Sequence, residues 1–195
     1  STGVSTLEFA RKYLFGPLGV TNLEWLVDPH GTPRGWGDLH LTPPDMIKLG
    51  LLFLNRGGWR GRQIVSPEWI DEATFGAGHS IPSWPPGEGY AYLWYYSPDL
   101  FHAAGRGGQR IDVYPEENLV VGLNAGSGFG DYYPITLEYL EDWVLGAIES
   151  DSPLPSNPGG VAELASKVSE AAASNEGPPQ AVPPLPAIAQ NISGQ

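Results

Sequence analysis

Apolar positions recur along the first 150 residues with two periods, and each change of period marks a new element. Leu7, Ala10 and Leu14 follow at helical spacing behind Ser5-Thr6-Leu7-Glu8, which has Ser and Glu at capping-box distance; Gly16-Pro17 is expected to end this helix. Asp28-Pro29-His30-Gly31-Thr32-Pro33 and the glycines after it read as loop. Thr42-Pro43-Pro44-Asp45 then offers a capping Thr, a proline at the first helical position and an acid in the first turn. The run from Met46 to Leu54 behind it is so apolar that the helix has to be buried. Gly57 is the expected C-cap. Gly58-Trp59-Arg60-Gly61-Arg62 reads as a tight turn into Gln63-Ile64-Val65, and Ser66-Pro67-Glu68 opens a third helix from Trp69 to Thr74.

Period two takes over further on. Residues 75–88 are an irregular stretch rich in Gly, Pro and Ser, carrying His79 and Trp84, of the kind that forms a cleft rim. Residues 89–97 alternate as one strand, with Tyr90, Tyr92, Trp94 and Tyr96 on one side and Ala91, Leu93 and Tyr95 on the other. Ser97-Pro98-Asp99 returns the chain into Phe101–Gly105. Gln109–Tyr114 and 118–124, joined by Pro115-Glu116-Glu117, complete an antiparallel meander. Asp131 and Pro134 mark a helix start. Ile135, Tyr139, Leu140, Trp143, Val144, Ala147 and Ile148 form a stripe expected to lie across the sheet. From residue 151 Pro, Ala, Ser and Gly dominate. This divides the chain into a domain over 1–150 and a mostly disordered linker over 151–195, with a weak helix from Val161 to Ala173.

Phe101-His102-Ala103-Ala104-Gly105-Arg106-Gly107-Gly108-Gln109 is the stretch with chemical potential. Small residues run into glycines, and alternation then resumes, with Ile111 and Val113 set against Arg110 and Asp112 as in a half-buried strand. Two readings fit. One is a strand with a bare edge whose N–H groups face a developing oxyanion; the other is a strand with a bulge beside a tight turn. His102 is open in the same way, between a cleft residue and a structural histidine facing the core.

Composition narrows the function classes. The chain has 195 residues, 41% hydrophobic, and a net charge of −12 with Lys+Arg only 10. No basic stripe is present to follow a phosphate backbone, so nucleic acid is not an expected partner. No apolar run reaches the roughly 18 residues that span a bilayer. Cysteine is absent, which removes thiolate chemistry and Cys-type zinc sites and leaves the compartment open. No cofactor is indicated, and His30, His40, His79 and His102 lack metal-ligand spacing. None of Lys12, Lys48 and Lys167 has a Ser three residues before it, so no Ser-x-x-Lys pair exists. Ser127, in Ala125-Gly126-Ser127-Gly128-Phe129, lacks the outer glycines of a nucleophile elbow. Seven Trp and nine Tyr exceed the needs of a core, so some are expected to line a pocket.

The order of several segments resembles the serine β-lactamase-related hydrolases, the class C-like group with penicillin-binding-protein-like architecture. They are Thr2-Gly3 with Glu8-Phe9-Ala10-Arg11, Phe15-Gly16-Pro17-Leu18-Gly19, Leu41-Thr42-Pro43-Pro44-Asp45, Gly57-Gly58-Trp59, Gly89-Tyr90 with Trp94, and Ala104-Gly105-Arg106-Gly107-Gly108-Gln109. The resemblance implies an α/β (α+β) fold, an antiparallel sheet with packed helices, incomplete at its N-terminus. It further implies an enzyme that cleaves a small ester or amide through a Ser acyl-enzyme, with the Ser-x-x-Lys and Tyr-x-Asn elements upstream of Ser1. Ala103-Ala104-Gly105 takes the place of the family's Lys-Thr-Gly. The missing Lys withdraws a cationic contact to a substrate carboxylate. By the same alignment Gly105 and the Arg106 N–H serve the oxyanion, and His102, Ala103, Gly107, Tyr92 and Trp94 contact the substrate. On this reading the chain is a portion of the domain that is inactive alone, and a C-terminal β-domain is expected after Gln195. The competing reading is a non-catalytic peptide- or sugar-binding protein on the same scaffold.

Overall fold

A capping box opens the chain: Ser5 Oγ accepts from the Glu8 N–H at 3.2 Å, and the Glu8 carboxylate accepts from the Ser5 N–H at 3.0 Å. The computed structural model describes residues 3–75, 81–82, 89–126, 140–150 and 152–174. Contacts divide the chain into two units, Ser1–Glu149 and Ser150–Gln195.

The first helix does not stop at Gly16-Pro17. After α1 (Thr6–Ala10) the backbone widens into a π turn over Arg11–Phe15, where the Gly16 N–H reaches back to the Arg11 carbonyl. A short α2 (Gly16–Leu18) then closes at Gly19, whose φ is +68°. Proline cannot donate and its ring crowds the carbonyl four residues back; the wider turn accommodates both constraints, so the helix passes through. Two ribbons follow in the first half, β1 (Glu24–Trp25) with β2 (Leu39–His40) and β3 (Gly58–Trp59) with β4 (Arg62–Gln63).

Helix α3 (Pro43–Leu54) starts as its sequence requires, with Thr42 accepting from the Asp45 N–H. Lys48 Nζ pairs with Asp45 at 2.7 Å and also donates to the Gly19 carbonyl at 2.9 Å, tying this helix to the end of α2. No residue from Asp45 to Leu54 is exposed, because α3 borders two apolar clusters. Leu52 joins Phe15, Leu18 and Val20 on one side, while Met46 joins Ala73, Trp94, Phe101, Ile111 and Val113 on the other. The second contact is close. A Cβ on Gly50 would stand 2.9 Å from Ile111 and nearer still to Val120, and one on Gly122 would stand 2.8 Å from Ile47. Helix α4 (Pro67–Phe75) supplies Ala73 to the same cluster.

The meander forms a six-stranded antiparallel sheet in the order β10-β9-β8-β7-β6-β5. Its strands are β5 (Ile81–Pro82), β6 (Gly89–Ala91), β7 (Trp94–Tyr96), β8 (Phe101–Gly105), β9 (Gln109–Tyr114) and β10 (Leu119–Leu123). Two expectations are corrected here. The run 89–97 is a hairpin rather than one strand: Ala91 pairs with Trp94, and Tyr92 and Leu93 form the turn at φ +47° and +72°. Both central residues of a two-residue hairpin turn of matching twist need positive φ, and the pairing on either side holds this aromatic and this leucine there. The other correction concerns β9, which is buried on both faces rather than half-buried, from Arg110 through Tyr114.

Residues 131–139 of the expected covering helix, and most of 75–88, lie outside the described residues. Its described end is a π turn over Leu140–Val144 followed by a 3-10 turn over Leu145–Ala147. Trp143 is 71% exposed and Ile148 is exposed as well, so neither covers the sheet. In the second unit α5 (Pro158–Ser174) is a 17-residue helix, longer than the segment expected from the sequence. Among the described residues no helix is long and apolar enough to cross a membrane.

Gly57 has φ +81°, and a Cβ there would run into the Val65 carbonyl, whereas Gly61 at φ +77° faces open space. Gly57→Ala is expected to lower stability by roughly 3 kcal/mol, left-handed strain plus overpacking, against about 1 kcal/mol for Gly61→Ala. Urea unfolding midpoints of the two variants check the difference.

Candidate active site

Strand β8 lies between β9 and β7, but its two neighbours accompany it for different distances. β9 pairs along all of Phe101–Gly105, whereas β7 pairs only at Phe101 and His102. Among the described residues Ala103, Ala104 and Gly105 therefore have a ladder on one side alone. β7 runs antiparallel to β8, which puts the Tyr92-Leu93 tip at the same end of the sheet as Gly105. The bare edge expected from sequence is thus confined to three residues. Gly105 and Arg106 are exposed, and Gly107 and Gly108, at φ +93° and +96°, carry the turn into β9. The Gly108 N–H donates to the Gly105 carbonyl at 3.2 Å and closes that turn.

Strand register sorts the remaining candidates by face. Trp94 is 8% exposed, on the α3 side of the sheet, with its ring 4.3 Å from Phe53 and 5.6 Å from Phe101. It is a core residue that backs the sheet. Ala103 shares this face and packs on the same cluster. Tyr92, at the hairpin tip, is 45% exposed, with its ring 4.7 Å from that of Trp69. Ser127 lies outside the described residues. A groove of about 540 Å³ lined by Asn55, Trp59, Arg60, Arg62 and Gln63 sits at the β3–β4 hairpin and includes none of the residues expected at the site.

His102 points to the opposite face, into a buried polar cluster. It stands across from Asp112, and Arg110 is two residues earlier on β9. His102 and Arg110 are each 1% exposed and Asp112 is 0% exposed. Arg110 Nε donates to both Asp112 oxygens at 3.0 and 3.1 Å, and Arg110 Nη2 lies 2.8 Å from His102 Nδ1. Guanidinium can only donate, so Nδ1 is the acceptor and the neutral ring carries its proton on Nε2. Burial, and then the adjacent Arg110 charge, push the His102 pKa down to about 3. Burial pushes the Asp112 carboxyl up, and Arg110 opposes part of that rise. Tyr95 stacks on His102 with ring centres 5.1 Å apart, and Tyr90 packs on Tyr95 at 4.6 Å. This histidine is inside the sheet's polar layer, where its Nδ1 accepts a hydrogen bond from Arg110.

The cluster itself is the feature that sequence reading missed. Its signal was present: counting back from the Arg106-Gly107-Gly108 turn sets His102 opposite Asp112, with Arg110 beside them. Among the described residues no group of three His, Asp or Glu is placed to hold a metal ion.

The fold is β-lactamase-like, a mixed α/β arrangement with an antiparallel sheet and packed helices. Among the solved structures similar to it is the protein described as "Putative 6-aminohexanoate-dimer hydrolase from Bacillus anthracis", at TM-score 0.59 and 21% identity, over 75% of this chain and 39% of that one. At this identity the likeness is one of fold, and the chain spans well under half of the neighbour's length. No protein-family model matches the chain, and no curated protein does either.

The depressed His102 pKa has a consequence for stability. The folded state keeps this ring neutral below its ordinary value of 6.5, while the unfolded chain protonates there. Stability is therefore complete above pH 6.5 and falls as the pH drops from 6.5 toward 3, by up to about 1.4 kcal/mol per pH unit. His102→Asn, whose Oδ1 can accept from Arg110 in place of Nδ1, is expected to remove this slope. Unfolding curves between pH 5 and 6.5 measure it; equal slopes for wild type and variant contradict the assignment.

Proposed function

We propose that residues 1–149 form part of a serine hydrolase that cleaves an ester or amide through an acyl-enzyme. The observation that carries this reading is the end of the β7 pairing at His102, which leaves Ala103–Gly105 as an open edge at the start of a glycine turn. The shared fold supports it.

A serine Oγ attacks the substrate carbonyl carbon while a basic side chain takes its proton, and the carbonyl oxygen becomes an oxyanion. Two N–H groups stabilise that oxygen. On this reading one belongs to Arg106 and the other to the nucleophile's own backbone. Collapse of the tetrahedral intermediate expels the alcohol or amine, and water then attacks the acyl-serine. Gly105 keeps a side chain away from the approach, while Ala103, Gly107 and Tyr92 border it. His102 and Trp94 hold the sheet from its two faces and do not themselves contact substrate. No Ser-x-x-Lys occurs among the 195 residues, and on this reading the nucleophile is supplied from outside them. Ala103 stands where relatives in such a family carry Lys, which favours substrates without a carboxylate beside the scissile bond.

A fluorophosphonate probe followed by intact mass tests the reading, on this chain and on a product extended upstream to include the Ser-x-x-Lys segment. An adduct on the extended product alone is expected. Gly105→Val in that product is expected to slow labelling roughly 10- to 100-fold with little loss of folding, since Gly105 has no positive φ and its Cβ position is 3.4 Å from Gln109, an ordinary contact. Labelling of the short chain contradicts the proposed location of the nucleophile. An extended product that never labels favours a non-catalytic peptide- or sugar-binding protein on this scaffold.

A further inference from the structure

We propose that Gln109 is the positioning residue of the Gly105–Gly108 turn, and through it of the Arg106 N–H. The inference rests on the hydrolase reading for the role of that N–H, and on geometry alone for the part played by Gln109.

Gln109 is the first residue of β9 and stands directly across from Gly105. Its side chain turns back under the loop instead of outward. Nε2 donates to the Ala125 carbonyl at 2.8 Å, sixteen residues away and beyond the end of β10. Oε1 is enclosed by protein and makes no hydrogen bond among the described residues. The carboxamide fills the hollow formed by the turn's own glycines: a Cβ on Gly105 would lie 3.4 Å from Oε1, and one on Gly107 would lie 3.5 Å from both Oε1 and Nε2. The Ala125 carbonyl is 3.6 Å from that same Gly107 position, so turn, side chain and β10 exit meet at one point. Next to it, Asn124 Nδ2 donates to the Leu41 carbonyl at 3.2 Å, just ahead of α3. Hydrogen bonds thus tie the segment ahead of α3 to Asn124 at the β10 exit and the neighbouring Ala125 carbonyl to Gln109, whose carboxamide borders the turn.

Two successive glycines with positive φ leave the turn access to many backbone states. Gln109 supplies the selection as a flat wedge anchored at its far end. Arg106 sits between Gly105 and Gly107, and the carboxamide borders the space that a side chain on either glycine would enter, so its N–H direction follows the carboxamide. Such a residue acts on the rate without contacting the substrate.

Amide hydrogen exchange on the 195-residue chain tests the geometry, with the Gly108 N–H as reporter because its bond to Gly105 closes the turn. Gln109→Ala is expected to speed exchange at Gly108 about tenfold or more while Ile111, Asp112 and Val113 keep their protection. Unchanged exchange at Gly108, or a uniform rise along β9, overturns the inference. Gln109→Glu keeps the shape of the side chain, loses the donor to Ala125, and answers the same question if the alanine variant does not fold.

Fluorophosphonate labelling of the extended product tests the consequence. Both variants are expected to lower the maximal labelling rate by roughly 100-fold with the half-saturating probe concentration unchanged. Wild type that labels, together with variants that label equally fast, overturns the role of Gln109 and leaves the hydrolase reading standing. Wild type that does not label overturns that reading, and the donor role of the turn with it.

Discussion

The ion pair of Arg110 and Asp112, sealed inside the sheet with His102, constrains the rest of the first unit. Two charges removed from water are tolerated only when they face each other and their remaining hydrogen-bonding groups are satisfied. Here the guanidinium grips both oxygens of the carboxylate and also reaches the imidazole across the strand pair. That arrangement admits one register. Sliding β9 by a single residue would carry both charges to the face that packs on α3 and bring Ile111 and Val113 into the polar layer. The length of the turn from Gly105 to Gly108 follows from the same register, so the polar layer on one face sets where the strand ends and the turn begins.

The other face is fixed by close approach. Gly50 on α3 leaves room for the Val120 and Ile111 side chains and Gly122 on β10 leaves room for Ile47, so helix and sheet meet closely, with Met46, Trp94, Phe101 and Val113 in the same cluster. α3 also holds the N-terminal helices through Leu52 and Lys48. The sheet is consequently held from both faces near β8 and β9. β7, by contrast, leaves β8 after two pairs, and among the described residues a backbone edge opens where a glycine turn begins. A rigid strand beside an open edge is the arrangement that a preorganised oxyanion site needs, because donors fixed before the reaction require no reorganisation during it.

Much of this was legible in the sequence wherever a local rule decided the outcome. Ser5 with Glu8, and Thr42 with Asp45, marked two helix starts by capping chemistry alone. Arg60-Gly61 and Pro115-Glu116-Glu117 marked hairpin turns, and Phe101–Gly105 with Gln109–Tyr114 came out as antiparallel neighbours. Local rules failed where tertiary context overrode them. Gly16-Pro17 carries two breakers yet lies inside a helix that widened to admit the proline. Tyr92 and Leu93 contain no turn residue, and the pairing of β6 with β7 forces them to positive φ. Alternation along β9 separates its two faces but does not show that the polar one is buried. Which face is covered depends on segments far away in sequence, and no periodicity within six residues records that. Of the candidate site, the glycine turn and its strand were visible in advance. Trp94 as core and His102 as a buried acceptor became visible only with the register.

The account stands on the claim that the edge at Ala103–Gly105 and the turn after it hold the oxyanion of an acyl-transfer reaction. A crystal structure of the fluorophosphonate adduct, formed on a product that includes the nucleophile, tests that claim most directly. The account predicts the phosphoryl oxygen at about 2.7–3.1 Å from the Arg106 N, with the Gly105–Gly108 turn unchanged. An adduct whose oxygen is bound elsewhere, with Gly105 and Arg106 facing only solvent, contradicts it.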